Sequence, residues 1–74
     1  MTMHFGAMIV PAEFPELSAL VWNRDPARPI PARDVFFLYE RNWRFVDREH
    51  LTDKERLLIE ELTEEFGNGR MLTA

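Results

Sequence analysis

The sequence predicts a mostly α-helical fold of one small domain. Its parts are a short helix, a proline loop and two longer antiparallel helices, with at most a minor N-/C-terminal β-pair. Three observations carry that expectation. A capping signature followed by an apolar stripe marks residues 52–66, the apolar residues of 33–46 collect on one helical arc, and prolines confine irregular structure to 23–31. The chain has 74 residues, 46% hydrophobic, with nine aromatics (Phe 6, Trp 2, Tyr 1) and a formal net charge of −4. That is too apolar and aromatic for a disordered segment. With no cysteine, neither a disulfide nor a thiolate metal site can hold the fold, so core packing or a partner subunit must do so.

Residues 3–10 alternate, with Met3, Phe5, Ala7 and Ile9 on one side, which predicts a short strand. The opening residues contain no Lys or Arg, are broken by His4 and Gly6, and stop at Pro11. They do not read as a secretory signal. No stretch approaches the roughly 18 apolar residues of a membrane span. The expected setting is cytoplasmic, with no membrane partner.

Residues 15–22 form the short helix. Leu17, Leu20 and Val21 keep i, i+3, i+4 spacing, and Pro15 takes the first helical position, where its missing N–H costs nothing. Residues 23–31 then read as a loop through Asn23, Asp25, Pro26, Pro29 and Pro31. Its P-x-x-P spacing matches what polyproline-binding domains read, but a stiff connector needs nothing more than these prolines.

Around a helix at about 100° per residue, residues 33–46 place Val35, Phe36, Leu38, Tyr39, Trp43, Phe45 and Val46 on one arc. Glu40, Arg41 and Arg44 lie opposite, with Phe37 among them. Read as a strand, both faces carry charge among apolar residues. A hairpin turning near 40–42 is the rival, supported by the β-branched and aromatic content. Thr52-Asp53-Lys54-Glu55 fits a capping box in which the Thr52 hydroxyl accepts from the Glu55 N–H and the Glu55 carboxylate reaches back. Leu58, Ile59, Leu62 and Phe66 make the buried stripe, and Gly67 is placed for a left-handed stop. Residues 70–73 are long enough to pair with 3–10.

Charge is segregated. Residues 24–48 carry six arginines and four acids, whereas 49–65 carry seven acids against Lys54 and Arg56. Glu60/Glu64 and Glu61/Glu65 are like-charge i, i+4 pairs near the negative end of the helix dipole, where acids are disfavoured. Phe37 and Leu57 fall off their apolar stripes. The candidate interaction surface is therefore Phe37, Arg41, Arg44, Leu57, Glu60, Glu61, Glu64 and Glu65. Its expected occupant is another protein or a second copy of the chain. Arg41, Arg44 and Arg48 raise a nucleic-acid-associated regulator as the alternative. The net acidic chain and the four glutamates disfavour it.

Catalytic, cofactor and metal sites are not expected. His50 has Asp47, Glu49 and Asp53 near it, a set that capping and solvation of a helix junction explain. Ser18 and the threonines lack a base and an orienting third group. The three glycines, Gly6, Gly67 and Gly69, build no phosphate loop. The function predicted from sequence is a non-enzymatic intracellular protein–protein interaction module: an adaptor, small regulator or accessory subunit.

Overall fold

The computed structural model describes residues 8–67. Strand β1 (Met8–Ile9) leads through a 3-10 turn (Pro11–Glu13) into α1 (Pro15–Leu20). The proline loop follows, then β2 (Ile30–Pro31), α2 (Ala32–Asn42), two further 3-10 turns (Trp43–Phe45 and Arg48–His50), and α3 (Asp53–Phe66). The fold is mostly helical, with three helices and one small antiparallel sheet. In that sheet Met8 stands opposite Pro31 and Ile9 opposite Ile30. The N-terminal strand thus pairs with the end of the proline loop. Residues 3–7 and 70–73, the rest of the expected N-/C-terminal pair, lie outside the described residues.

Three sequence features are resolved differently in the fold. The helix expected over 33–46 ends at Asn42, whose backbone leaves the helical region at φ −110°, ψ 17°. The Asn42 side-chain amide donates to the Leu38 carbonyl at 2.9 Å, satisfying an acceptor that another helical turn would have used. Trp43–Phe45 then wind more tightly, so Phe45 swings out of the apolar arc to 69% exposure while Val46 returns to the core. Trp22 is also out, at 83% exposure. It lies about 140° around the helix from Leu17, off the Leu17/Val21 face that α1 buries. Gly67 does close α3, accepting no left-handed geometry: its φ is −113° and its N–H donates to the Thr63 carbonyl.

The core joins all the elements. Ile9, Phe14, Leu17, Val21, Ile30, Val35, Phe36, Tyr39, Val46, Leu58, Ile59 and Leu62 are buried in one cluster, and Phe66 packs half-buried at its edge. Within it sits one charged residue, Glu55, with no exposed surface. The first turn of α1 explains it. Phe14 occupies the N-cap and has no side-chain acceptor to offer, so the N–H groups of Glu16 and Leu17 need one from elsewhere. Glu55 of α3 supplies both: Oε1 accepts from Glu16 N–H at 3.0 Å and Oε2 from Leu17 N–H at 2.8 Å. The Tyr39 hydroxyl of α2 donates to the same Oε2 at 2.7 Å. One carboxylate therefore holds all three helices at a buried point.

The capping box forms by half. Thr52 Oγ1 accepts from Glu55 N–H at 3.1 Å as expected, but the Glu55 side chain turns inward instead of back to Thr52. Thr52 is exposed and water can serve its N–H, whereas the buried amides at the start of α1 have no such alternative. Around this point two more contacts bind the same turns: Asp47 N–H donates to Glu16 Oε1 at 2.7 Å, and Lys54 Nζ meets Glu13 Oε1 at 2.8 Å. The latter pair is exposed and adds little.

Tyr39 gives this arrangement a pH signature. Burial pushes its phenol far above the ordinary range, helped by the Glu55 hydrogen bond and the Glu55 and Glu16 charges. A raised folded-state pKa gives stability that is complete below the unfolded phenol value of about 10 and lost as pH climbs beyond it. Tyr39 is the sole tyrosine, so tyrosinate absorbance reads it alone. On alkaline titration that absorbance is expected to appear only together with loss of helical circular dichroism, and Tyr39→Phe to remove this alkaline loss. Tyrosinate formed near pH 10 in still-helical protein would contradict the burial.

Candidate interaction surface

The outward side of α2 is set by what its inward side buries. Ala32, Val35, Phe36 and Tyr39 face the core, which leaves Arg33, Phe37 and Arg41 on the exposed side. Phe37 is 45% exposed, and its ring lies 5.9 Å from that of buried Phe36. It is the shared wall of two clefts. One, of about 170 Å³, is completed by Arg24, Asp34, Leu38 and Arg41. The other, of about 360 Å³, is completed by Arg33, Glu65 and Phe66 at the C-terminal end of α3. Within the second, the Arg33 guanidinium lies 6.0 Å from the Phe66 ring and the Phe66 ring 6.1 Å from Phe36.

On α3 the buried stripe leaves Leu57, Glu60, Glu61 and Glu64 at i, i+3, i+4, i+7 on the outer face. Leu57 is 58% exposed, Glu60 and Glu64 are exposed, and Glu61 is half-buried. None of Glu60, Glu61, Glu64 or Glu65 makes an ion pair among the described residues, where the pairs are Lys54–Glu13 and His50–Asp47. Glu65 is half-buried, and its Oε2 is enclosed without a hydrogen-bond partner. A buried carboxylate oxygen left unpaired is costly.

The fold brings together some of the sequence-derived surface and separates the rest. Phe37 meets Arg41 on one side and Glu65 on the other. Leu57, Glu60, Glu61 and Glu64 form a second patch on α3. Arg44 joins neither cleft: because α2 ends at Asn42, it lies in the following 3-10 turn with its guanidinium 5.4 Å from the Phe45 ring. Trp22, Phe45 and Met8, exposed apolar residues outside the predicted surface, add to the apolar area on view. For Trp22 the signal was present in its helical angle. For Phe45 it depended on where α2 stops.

The remaining concave and polar groups are of mixed character. The largest hollow, about 600 Å³, runs along Asn23, Arg24, Asp25, Arg28 and Pro29–Pro31 to Asp34, and adjoins the first Phe37 cleft through Arg24 and Asp34. A cleft of about 350 Å³ has Trp43, Leu51 and Ile59 as its floor and Arg48, Arg56 and Glu60 at its rim. His50 is exposed, its Nδ1 2.6 Å from Asp47 Oδ2, and Asp47 caps the Arg48–His50 turn by accepting from Glu49 N–H at 3.1 Å. Among the described residues no group of three or more His, Cys, Asp or Glu side chains is placed to hold a metal ion. No helix there is long and apolar enough to cross a membrane.

No family model, curated protein or solved structure matches the chain.

The unpaired acids of α3 lead to a stability prediction. Glu61→Gln combined with Glu65→Gln removes one i, i+4 repulsion and two charges near the negative end of the helix dipole. Denaturant unfolding at low salt should show a gain of about 0.5–1 kcal/mol. A neutral or less stable variant would mean that arginines neutralise these acids in solution.

Proposed function

We propose that the chain is a non-enzymatic intracellular protein–protein interaction module of the adaptor, small-regulator or accessory-subunit kind. The observation that carries this reading is the placement of Phe37 and Leu57. Each is a large apolar side chain held outward on a helix face, among charges without an ion-pair partner within the described residues. A lone exposed hydrophobe is ordinary. An aromatic ring that forms the wall of two clefts beside arginines has the composition of an interface centre, and unpaired charges around it speed encounter with a partner of opposite sign.

The buried polar chemistry supports the same reading from the other side. A carboxylate and a phenol in contact can serve as a catalytic pair, but Glu55 and Tyr39 are enclosed and their hydrogen bonds go to capping α1. Nucleic-acid association through Arg41 has less behind it. The neighbouring helix exposes Glu60 and Glu64, which repel a polyanion.

A photoreactive phenylalanine analogue in place of Phe37, and separately of Leu57, tests the reading in native extract. Light-dependent covalent adducts with protein are expected from position 37 or 57 and not from exposed Glu49. Absence of any adduct from both positions would count against the module.

A further inference from the structure

The Phe37 face has the makings of a surface that fits itself. Its apolar centre is flanked on one side by Arg41, exposed and making no ion pair among the described residues, and on the other by Glu65, whose carboxylate has an oxygen enclosed without a donor. A two-fold axis through the Phe37 region is the operation that exchanges the two sides. In such an isologous contact, residue i of one copy meets residue j of the other, and j meets i. Arg41 of each copy then falls towards Glu65 of the other, around a centre of two Phe37 rings.

We infer that the partner of the Phe37 face is a second copy of this chain, docked about a two-fold axis with Arg41 of each copy paired to Glu65 of the other. The inference rests on the interaction-module reading and names its partner. It accounts for two features the single chain leaves unexplained. Glu65 is half-buried beside Phe66 with one oxygen unsatisfied, a charge placement that costs stability until a cation reaches the carboxylate. Phe37 is held outward although Phe36, next to it, is almost fully buried. Bidentate pairing of a guanidinium to the carboxylate offsets the first, and ring-to-ring burial removes the second from water. Arg24 and Asp34, which wall the Arg41 cleft with Phe37, carry opposite charges. Their effects on an incoming copy largely cancel, leaving Arg41 and Glu65 to set the register.

Sedimentation equilibrium of the purified chain from about 10 μM to about 1 mM tests this. The wild-type chain is expected to move from monomer towards dimer over that range. R41E and E65R each place like charges across both halves of the contact, and each should weaken the dimer at least about tenfold. The double variant R41E/E65R recreates opposite charges across the axis and should return association to within about threefold of wild type. F37A should weaken it as strongly as either single reversal, with helical circular dichroism of all variants showing that the monomer still folds. Failure of the double variant to recover, with its monomer folded, would overturn the pairing. A chain that stays monomeric throughout the range would overturn the second copy as partner. The Phe37 photocrosslinker separates that failure from a failure of the broader reading. Adducts with a different protein alone leave the module standing without self-association, and no adduct from positions 37 and 57 removes both.

Discussion

Everything in this fold passes near the Glu55 carboxylate. Two amides of α1 and the phenol of α2 donate to it, while its own N–H is held by Thr52 at the start of α3. A helix of six residues is too short to persist by propensity, and Phe14 gives α1 no local cap. Its first turn exists because a residue nearly forty positions later provides the missing acceptors. The arrangement also answers how a chain without disulfides holds a core with so few residues. A fully satisfied buried carboxylate fixes the relative position of three helices in a way that apolar contacts, being non-directional, cannot. Leaving any one of its donors without that acceptor would bury an unpaired polar group.

Local patterns reported local structure well. The start of α3 at Thr52, its buried Leu58/Ile59/Leu62 stripe, Pro15 at the head of α1 and the proline loop follow from spacing and backbone chemistry within a few residues. What the sequence concealed was the choice between two uses of one side chain. Glu55 three residues after Thr52 signals a capping box, and nothing local says that the carboxylate will serve α1 instead. Only the absence of a capping side chain at Phe14, set against a buried first turn, hints at a distant donor–acceptor match. The end of α2 was hidden for a similar reason. Helical periodicity continues through Phe45, and the Asn42 amide that closes the helix on the Leu38 carbonyl is visible only as one polar residue inside an apolar arc.

The same early stop reshapes the candidate surface. With α2 ending at Asn42, Arg44 leaves the Arg41 face, and the arginine strip inferred from the helical wheel shortens to the residues around Phe37. The antiparallel packing of α2 on α3 then brings Glu65 to Phe37 from the far end of the chain. The surface was legible as a set of off-stripe and like-charged residues. Its partition into a Phe37 face with both charge signs and a purely acidic Leu57 face required the packing. Core and surface thus differ in kind. Inside, one carboxylate is fully satisfied by its own chain. Outside, Glu65 and the acids of α3 are not, and it is this asymmetry that directs the functional reading outward.

Amide hydrogen exchange at Glu16 and Leu17 tests the account at its centre. First-turn amides of a helix ordinarily exchange fast because they lack intrahelical acceptors. If Glu55 holds them as the fold requires, both amides exchange only on global opening, with protection equal to that of the Leu58–Leu62 amides of α3. Exchange at Glu16 and Leu17 as rapid as that of an exposed loop, while α3 remains protected, would contradict it.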